Sequence, residues 1–594
     1  MSKSIFIRKV NIWRGKHIKD KQFVYFLSIV IGLIAGLGAV VLKISVHHIE
    51  SLLRDTQSSE KQNLYFLILP GIGILITVLF IRFFVKEDIG HGVAKILYAI
   101  SKKNSKIKRH NTYSSIVACS FTGGFGGSVG MEAPILYTGA AIGSNIGQIF
   151  NLNYKSLTLL IGCGVAGALA AIFKAPITGV IFAFEVLLLD LTASSIIPIL
   201  MSTVAGAMVP SLLIGERIEF YFTLKETFNF QAIPFYILLG IFSGFISLYF
   251  VRTNAYVEKL FGGIKNTYKK LIIGGILLGV MIYFFPPLYG EGYTAMKSIL
   301  SGGTHKILDN SLFYQHYNND WMLLLFLGII LFLKVIAMAV TTGSGGIGGI
   351  FAPSLFMGGV TGYTFSKAIN IFSNSWINLS ESNFTLVGMA GLIAGVMQAP
   401  LTAIFLIAEI TGSYGLFIPL IITASISYIT IHHFEKYSIY AKKLAEHGDL
   451  IHHDKDKTVL TMMKVGHVVE IDFTPVSMED TLGDLVKIIA KSKRNIFPVI
   501  DEHFHFIGMI MLDDIRAIMF DKKKYTEVRV KDLMTHPGEF VSMNETMESV
   551  MEKFKTTGLW NLPVTEDDRY IGFVSRSNVF NIYRRKLIEF VEEI

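Results

Sequence analysis

Two segments decide the fold of this chain: GSVGMEAP at Gly127–Pro134 and GIGGIFAP at Gly346–Pro353. Both place glycines ahead of an Ala-Pro pair. The likeness continues downstream at Leu136 and Leu355, at Gly139 and Gly358, and at Gly143 and Gly362. Proline is favoured in the first turn of a helix, and glycine lets backbone amides approach a ligand closely. Each segment therefore predicts a helix with accessible amide groups at its start.

A second pair of similar segments follows at nearly the same separation. Its members are Ala166, Gly167, Ala175–Thr178 and Glu185 in one copy and Ala390, Gly391, Ala399–Thr402 and Glu409 in the other. Two such pairs in the same order predict two homologous halves, about 20–215 and 230–435. Transporters built this way bind their substrate where the halves meet. Packing glycines alone are the alternative, but the shared Ala-Pro pattern argues against it.

The composition indicates a polytopic α-helical membrane protein with a soluble C-terminal part. Of the 594 residues, 52% are hydrophobic and 17% charged, and the charges are sparse from about Val24 to Ile431 and dense from Glu435 onward. Basic residues fill segment 1–22 and the loop Lys102–Arg109, which predicts that both are cytosolic. Nucleic-acid binding also fits basic runs, but the apolar spans explain them better. Cys119 and Cys163 show neither a disulfide pattern nor metal-ligand spacing.

The chemistry of the two Gly-rich segments indicates an anion site. A helix start carries free N–H groups and about half a positive charge, so two converging starts would bind an anion. Neither segment contains Lys or Arg, which would hold the ion too tightly to release it. Glu132 is the conspicuous acidic residue, and an ionisable side chain within the membrane is functional by default. Its carboxylate is predicted to gate the path; capping its own helix is the alternative.

Four segments together resemble the CLC family of chloride channels and transporters. Gly130–Pro134 is similar to the family's gating-glutamate motif, and Gly349–Pro353 to its Gly-x-Phe-x-Pro motif. Gly90–Val93 occupies the place of its Gly-Ser-Gly-Ile-Pro motif, and Ile439–Leu444 looks like its final membrane helix. The resemblance implies a membrane domain over 23–445 built as an inverted internal repeat, and a homodimer with one pore per subunit. It also implies a place in the plasma membrane.

The resemblance also implies the site residues. Glu132 would be the gate, the amides of Ile350 and Phe351 would line the central anion site, and the Tyr440 hydroxyl would donate to the same anion. Tyr437 is the alternative because the sequence does not fix the register there, and without the family Tyr440 would be an interfacial anchor. The complete set of expected anion-binding residues is His91, Gly130, Met131, Glu132, Ala133, Gly349, Ile350, Phe351 and Tyr440.

Three departures from the family pattern bear on the mechanism. His91 replaces a pore serine, and a solvated loop histidine explains it equally well. Met131 and Ala133 replace the basic residue and the glycine beside the gate. Val186 stands where proton-coupled members often carry a second glutamate. We therefore expect chloride permeation that is channel-like or weakly proton-coupled, with a chloride/proton antiporter as the alternative and a CBS-regulated cation transporter less favoured.

The C-terminal part contains a repeat that looks like a cytosolic α/β pair of CBS domains. Asn495–Asp501 resembles Asn561–Val564, and Gly508 and Gly572 each lead a following strand. This predicts a linker at 446–459, a first CBS unit at 460–521 and a second at 528–588. Asp514 and Ser575 each keep half of the pattern that contacts adenine nucleotides in such pairs. A dimerising scaffold is the favoured interpretation, and a nucleotide site at the CBS pair is the alternative.

Other function classes find little support in the sequence. An enzyme would need a nucleophile–base pair or a metal cluster. The histidine pairs are His432-His433 and His452-His453, and the two rings of such an adjacent pair do not face one site. We therefore expect no catalytic residues, no metal site and no required cofactor. The expected partners are chloride or a related anion, the lipid bilayer and a second copy of the chain.

Overall fold

The computed structural model describes residues 16–55, 62–87, 89, 92–189, 192–215, 228–303, 307, 311, 320–373, 378–446, 460 and 463–592. The chain divides into two compact units, Met1–Leu450 and Ile451–Ile594. Most of the predicted linker at 446–459 lies outside the described residues, as does most of the predicted N-terminal segment 1–22.

The first unit is helical. Its helices are α1 (Asp20–Asp55), α2 (Gln62–Phe80), α3 (Gly92–Lys102), α4 (Ser114–Gly124), α5 (Glu132–Ile149), α6 (Tyr154–Phe173), α7 (Pro176–Glu185), α8 (Ala193–Ile214), α9 (Ile233–Gly263), α10 (Thr267–Phe284), α11 (Tyr293–Leu300), α12 (Asp320–Gly343), α13 (Phe351–Phe372), α14 (Glu381–Met397), α15 (Pro400–Thr411), α16 (Phe417–Phe434) and α17 (Lys442–Glu446). Within the described part of the chain, eight helices are long and apolar enough to cross a membrane.

Helices break at equivalent points in the two halves. Lys174 directly follows α6 and has φ 55°, and Gln398 directly follows α14 and has φ 52°. Pro176 and Pro400 then begin α7 and α15. A left-handed residue ends a helix and a proline begins the next, so each break is built from local backbone chemistry. Such interruptions within a membrane unit require surroundings of protein or a cavity rather than lipid.

Close glycine contacts join the same helix pairs in each half. A Cβ added to Gly139 on α5 would lie 2.2 Å from the Gly164 carbonyl oxygen on α6. A Cβ added to Gly358 on α13 would lie 2.5 Å from the Gly388 carbonyl oxygen on α14. Only glycine permits such an approach between membrane helices. The contacts therefore repeat as the sequence does.

Two glutamates show how the halves face each other. Glu409 on α15 accepts hydrogen bonds at the start of α7, from the Ile177 amide at 3.0 Å, the Thr178 amide at 2.7 Å and the Thr178 hydroxyl at 2.6 Å. Glu185 on α7 does the same at the start of α15, with the Leu401 amide at 3.0 Å and the Thr402 amide and hydroxyl both at 2.7 Å. This reciprocal capping is what an inverted repeat produces, and it gives both carboxylates the structural role that their equivalence predicts.

The second unit contains two sheets and short helices in the order βαββα, twice. Its strands are β1 (Val469–Glu470), β2 (Val476–Ser477), β3 (Ile496–Ile500), β4 (Phe506–Met511), β5 (Val541–Ser542), β6 (Asn561–Glu566) and β7 (Arg569–Ser575). Its helices are α18 (Val465–Val468), α19 (Leu482–Lys491), α20 (Leu512–Ile515), α21 (Met547–Thr557) and α22 (Arg576–Glu592). The strand orders are β1-β7-β6-β5 and β2-β3-β4.

The two sheets of this unit repeat one register. Val499 pairs with Gly508 and Val564 pairs with Gly572, and in each case the register shifts directly after the valine. Met509 of one sheet and Phe573 of the other are buried in one apolar cluster. The two α/β repeats therefore pack together through their sheets, as the sequence predicts for a CBS pair.

Candidate anion site

The two Gly-rich segments meet at their helix starts. Helix α5 begins at Glu132 and α13 at Phe351. Directly before them, the Gly130 amide donates to the Gly349 carbonyl at 2.9 Å and the Gly349 amide donates to the Gly130 carbonyl at 2.7 Å. This bridge sets two helix N-termini side by side within the buried part of the unit. Their free amides and partial positive charges consequently act on a common region.

Small side chains are required where the segments touch. A Cβ added to Gly349 would lie 2.8 Å from the Ala133 Cβ, and one added to Gly130 would lie 2.9 Å from the Ala352 Cβ. The two clashes are equivalent under the repeat. The glycines are thus explained by the close approach of the two segments.

A third helix start joins this pair. A Cβ added to Gly92, the first residue of α3, would lie 2.7 Å from the Ala133 Cβ and equally far from its carbonyl oxygen. The start of α3 therefore packs against the start of α5. His91, expected beside this position, lies outside the described residues, and so does Gly90.

The Glu132 carboxylate lies between the helix starts. The residue is 1% exposed, and its Oε1 accepts a hydrogen bond from the Tyr293 hydroxyl at 2.8 Å. Its Oε2 is buried and lies beside the Ala352 amide of α13, without reaching hydrogen-bond geometry to any described residue. A negative group thus occupies the place where the amides of both helices favour an anion. Chemically, the carboxylate and a free anion would compete for this position.

The remaining predicted site residues surround this point. Phe351 is 1% exposed, Met131 and Ala133 are buried, and Ile350 is half-buried directly before α13. Tyr440 is buried and close enough to interact electrostatically with Glu132, whereas Tyr437 is half-buried with the Lys436 ammonium 5.6 Å from its ring centroid. The geometry therefore favours Tyr440 over Tyr437.

The expected final helix is shorter at its start than Ile439–Leu444 suggests. Helix α17 begins at Lys442, and Tyr440 lies in the preceding turn. The Ser438 hydroxyl accepts from the Ala441 amide at 3.3 Å and so caps this turn rather than α17 itself. This local cap places the tyrosine in the entry turn, and α17 packs against α3.

Sequence reasoning missed three residues of this site: Glu291, Tyr293 and Lys334. Glu291 accepts from the Met131 amide at 2.9 Å, directly beside the gate. Lys334 is 0% exposed on α12 and donates to the Gly290 carbonyl at 2.8 Å. An ionisable residue within an apolar membrane run is the signal that identifies Lys334. No local pattern marks the other two, because they reach the gate from the opposite half: Glu291 from the loop before α11 and Tyr293 from the first residue of α11.

A cavity of about 1020 Å³ opens beside the gate. Its polar lining includes Lys43, His47, His48, Glu50, Lys174, Glu291, Tyr293 and Lys297. Met131 also lines it, whereas Glu132 lies buried behind this wall. The cavity lies at the C-terminal part of α1, which contributes Lys43 and Glu50.

In the second unit, the two residues expected to contact a nucleotide have different surroundings. Asp514 is exposed on α20. The Ser575 hydroxyl donates to Glu470 at 2.6 Å and accepts from the Asn578 amide at 3.1 Å, so it caps α22. The serine is engaged by its own fold, which favours the scaffold interpretation.

Comparison with known proteins agrees with this architecture. The family profile described as "Voltage gated chloride channel" matches residues 72–432, and the CBS domain profile matches 465–521 and 530–585. The H(+)/Cl(-) exchange transporter ClcA of Vibrio cholerae is 29% identical over 426 residues, covering 68% of this chain and 86% of the relative. The uncharacterized protein MJ0305 of Methanocaldococcus jannaschii is 28% identical over 416 residues, covering 70% and 94%.

Solved structures share the fold. A slow cyanobacterial Cl-/H+ antiporter superposes with a TM-score of 0.61 at 21% identity, covering 72% of this chain and 98% of that one. A eukaryotic CLC transporter gives 0.58 at 17% identity and covers 93% and 97%. With the profile match spanning more than half of the sequence, the chain belongs to the CLC family of chloride channels and transporters and carries a C-terminal pair of CBS domains.

Proposed function

We propose that this protein exchanges chloride for protons across a membrane. The observation that carries the proposal is the Glu132 carboxylate seated between two helix N-termini, where it takes the place of an anion. Charged, the carboxylate occludes the path. Protonated, it loses its attraction to the amides and leaves, so that chloride replaces it. Each proton bound is thereby linked to an anion admitted.

Support for exchange over a channel comes from the relatives. Proteins named H(+)/Cl(-) exchange transporters match this chain over most of their length. They favour the antiporter alternative over the channel-like or weakly coupled activity that the sequence alone suggested. The second candidate, a channel, retains one specific observation: Val186 is buried, apolar and unable to carry a proton where family members often have a glutamate.

Proton movement driven by chloride separates the two candidates. Purified protein in liposomes is given an outward chloride gradient with the voltage clamped by potassium and valinomycin. We expect the outflow of chloride to drive protons into the liposomes, against the proton gradient that this uptake creates. Glu132→Gln should abolish the proton movement, raise chloride flux and remove the pH dependence of chloride flux. Glu258→Gln on α9 is the matched control. Chloride flux with no proton movement would identify a channel, and potassium flux without halide flux would exclude both.

We further propose that the protein is a homodimer in the plasma membrane, with the CBS pair in the cytosol. The basic loop Lys102–Arg109 supports this orientation, and the family resemblance supports the dimer. Counting photobleaching steps of labelled protein in liposomes should give two per particle. Protease added outside intact cells should leave the CBS pair uncut.

For the CBS pair we propose a dimerising regulatory scaffold. Its support is the engaged hydroxyl of Ser575. An adenine nucleotide bound near Asp514 and Ser575 is the alternative. Titration calorimetry of the full chain with ATP, ADP and AMP should give no heat of binding if the scaffold role is right.

A further inference from the structure

A second carboxylate is built into the gate. Glu291 lies in the loop between α10 and α11, and its Oε1 accepts a hydrogen bond from the Met131 amide at 2.9 Å. Met131 directly precedes Glu132 and is the N-cap of α5. Glu291 and Glu132 also interact electrostatically. The gate turn of one half is thus held by an acidic side chain of the other.

Several buried and half-buried charged groups surround Glu291. Lys334 on α12 donates to the Gly290 carbonyl at 2.8 Å and to the Leu288 carbonyl at 3.3 Å, and it interacts electrostatically with Glu291. The groups that interact electrostatically with Glu291 include Lys43 and Glu50 from α1, Cys119 from α4, Glu132 from α5 and Lys334 from α12. Lys174, and Tyr293 and Lys297 from α11, line the same cavity. Interacting acids in such a low-dielectric site take up a proton as a unit.

Access from the cavity distinguishes the two acids. Glu291 is partly exposed and lines the cavity of about 1020 Å³, together with Tyr293. Glu132 lies behind it, 1% exposed, and is hydrogen-bonded to the Tyr293 hydroxyl at 2.8 Å. A proton arriving through the cavity therefore meets Glu291 before it meets the gate. The Tyr293 hydroxyl, which can both accept and donate, thus joins the Glu132 carboxylate to the lining of the cavity that holds Glu291.

We propose that Glu291 is a proton-binding residue of the transport cycle that passes protons between the cavity and the Glu132 gate. When the Glu291 carboxylic acid gives its proton to the Glu132 carboxylate, Glu291 becomes charged and Glu132 neutral. The total charge of the pair is unchanged. The neutral gate then leaves the anion position. This assignment rests on the proposed chloride/proton exchange and adds a second titrating group to it.

Glu291→Gln tests the assignment because glutamine keeps the shape and the oxygen that accepts from Met131, but binds no proton in this range. Chloride flux and chloride-driven proton flux are measured in liposomes from pH 4.5 to 7.5. We expect proton flux to fall about tenfold or more, as for other lost acid–base groups. Removing a neighbouring negative charge also makes Glu132 harder to protonate, so the midpoint of chloride flux should move about one unit or more to lower pH. Glu291→Asp should restore part of both.

Two control variants test whether the effects come from the Glu291 carboxylate. Glu258→Gln on α9 removes an acid outside the cavity lining and should change neither quantity. His47 and His48 also line the cavity, so the variant with both replaced by glutamine is included. This double variant should leave the pH midpoint of chloride flux unchanged if Glu291 carries the proton. A midpoint that moves with the histidines and not with Glu291→Gln overturns the proposal.

The remaining outcomes separate this inference from the function on which it rests. If the unmodified protein moves no protons with chloride, the exchange proposal fails, and the midpoint of chloride flux still tests Glu291. If the unmodified protein is coupled and Glu291→Gln matches it in proton flux and midpoint, the Glu291 proposal fails alone. Equal losses of both fluxes in the Gln and Asp variants, with an unmoved midpoint, would mean that Glu291 only holds the gate turn.

Discussion

Gly130 and Gly349 pair through two backbone hydrogen bonds, of 2.9 Å and 2.7 Å, at the point where the two halves of the membrane unit present their helix starts. Neither glycine has room for a side chain, since each would place a Cβ within 3 Å of an alanine Cβ of the other half. The distance between the two helix N-termini is therefore set by a contact that only glycine allows. The anion position depends on this contact.

Replacing Gly349 by alanine should spread the two helix starts. Overpacking of this kind costs about 1–3 kcal/mol, and we expect a lower thermal unfolding temperature together with reduced chloride flux. Gly262→Ala is the control, because a Cβ there meets nothing within 4 Å. Normal flux in Gly349→Ala would show that the anion position does not require the observed separation.

Tyr293→Phe should loosen the gate. The hydroxyl donates to Glu132 at 2.8 Å, and a hydrogen bond to a charged group contributes about 1.5–3 kcal/mol, or about tenfold or more in an equilibrium. Losing it disfavours the seated carboxylate, so chloride flux at neutral pH should rise and its midpoint should move to higher pH. Tyr249→Phe, which removes a hydroxyl bonded to the Phe332 carbonyl at 3.0 Å, should have no such effect. A flux unchanged by Tyr293→Phe would contradict the gating geometry.

Val186→Glu should strengthen proton coupling. Val186 directly follows Glu185, the last residue of α7, and is 7% exposed, so a carboxylate there enters the interior. If protons reach the gate poorly from this side, an added titratable group should raise the number of protons moved per chloride, measured as the reversal potential under a chloride gradient. Val186→Gln, equal in size but without a proton to give, should leave the ratio unchanged. An unchanged ratio in both variants would mean that the existing proton path already suffices.

Glu185 and Glu409 should be energetically equivalent. Each caps the other's helix through two amides and a threonine hydroxyl, and a lost charge at a helix start costs about 1–2 kcal/mol in a partly buried site. We expect Glu185→Gln and Glu409→Gln to lower the unfolding temperature of the purified protein by similar amounts. If one substitution has no effect and the other is strongly destabilising, the two caps share a geometry but contribute unequally to the stability of the protein.

The repeat explains what could be predicted from the sequence and what could not. Gly130, Gly349 and Glu132 belong to motifs whose local chemistry dictates a helix start. The duplication therefore predicts that these two helix starts lie near each other. Glu291 has no counterpart in the repeat and meets the gate turn 160 positions away in the chain, which no local pattern encodes. Lys334 could have been identified, since it is a charge within an apolar run. The turn that contains Tyr440 depends on the Ser438 cap, and a comparison of motifs does not reveal such a cap.

The CBS unit should lose stability in acid because of Arg494. Its guanidinium binds Asp472 at 2.5 and 3.0 Å and Glu470 at 2.7 Å, and this contact holds the pKa of Asp472 below its usual value. Hydrogen bonds from Thr481 and Lys487 likewise lower the pKa of Asp484. A carboxylate with a lowered folded pKa stabilises the fold above its unfolded pKa, and the contribution disappears as pH falls through the folded value.

Urea unfolding of residues 451–594, followed by circular dichroism from pH 7 to pH 2.5, should therefore show constant stability down to about pH 4 and a decline below it. Arg494→Gln should reduce stability at pH 7 and flatten that decline, because Asp472 then has a nearly ordinary pKa in both states. Arg516→Gln, which breaks an exposed pair with Asp513, should change the profile little, since surface pairs contribute at most about 1 kcal/mol. An acid decline that is equally steep with and without Arg494 would place its origin in other carboxylates of the unit.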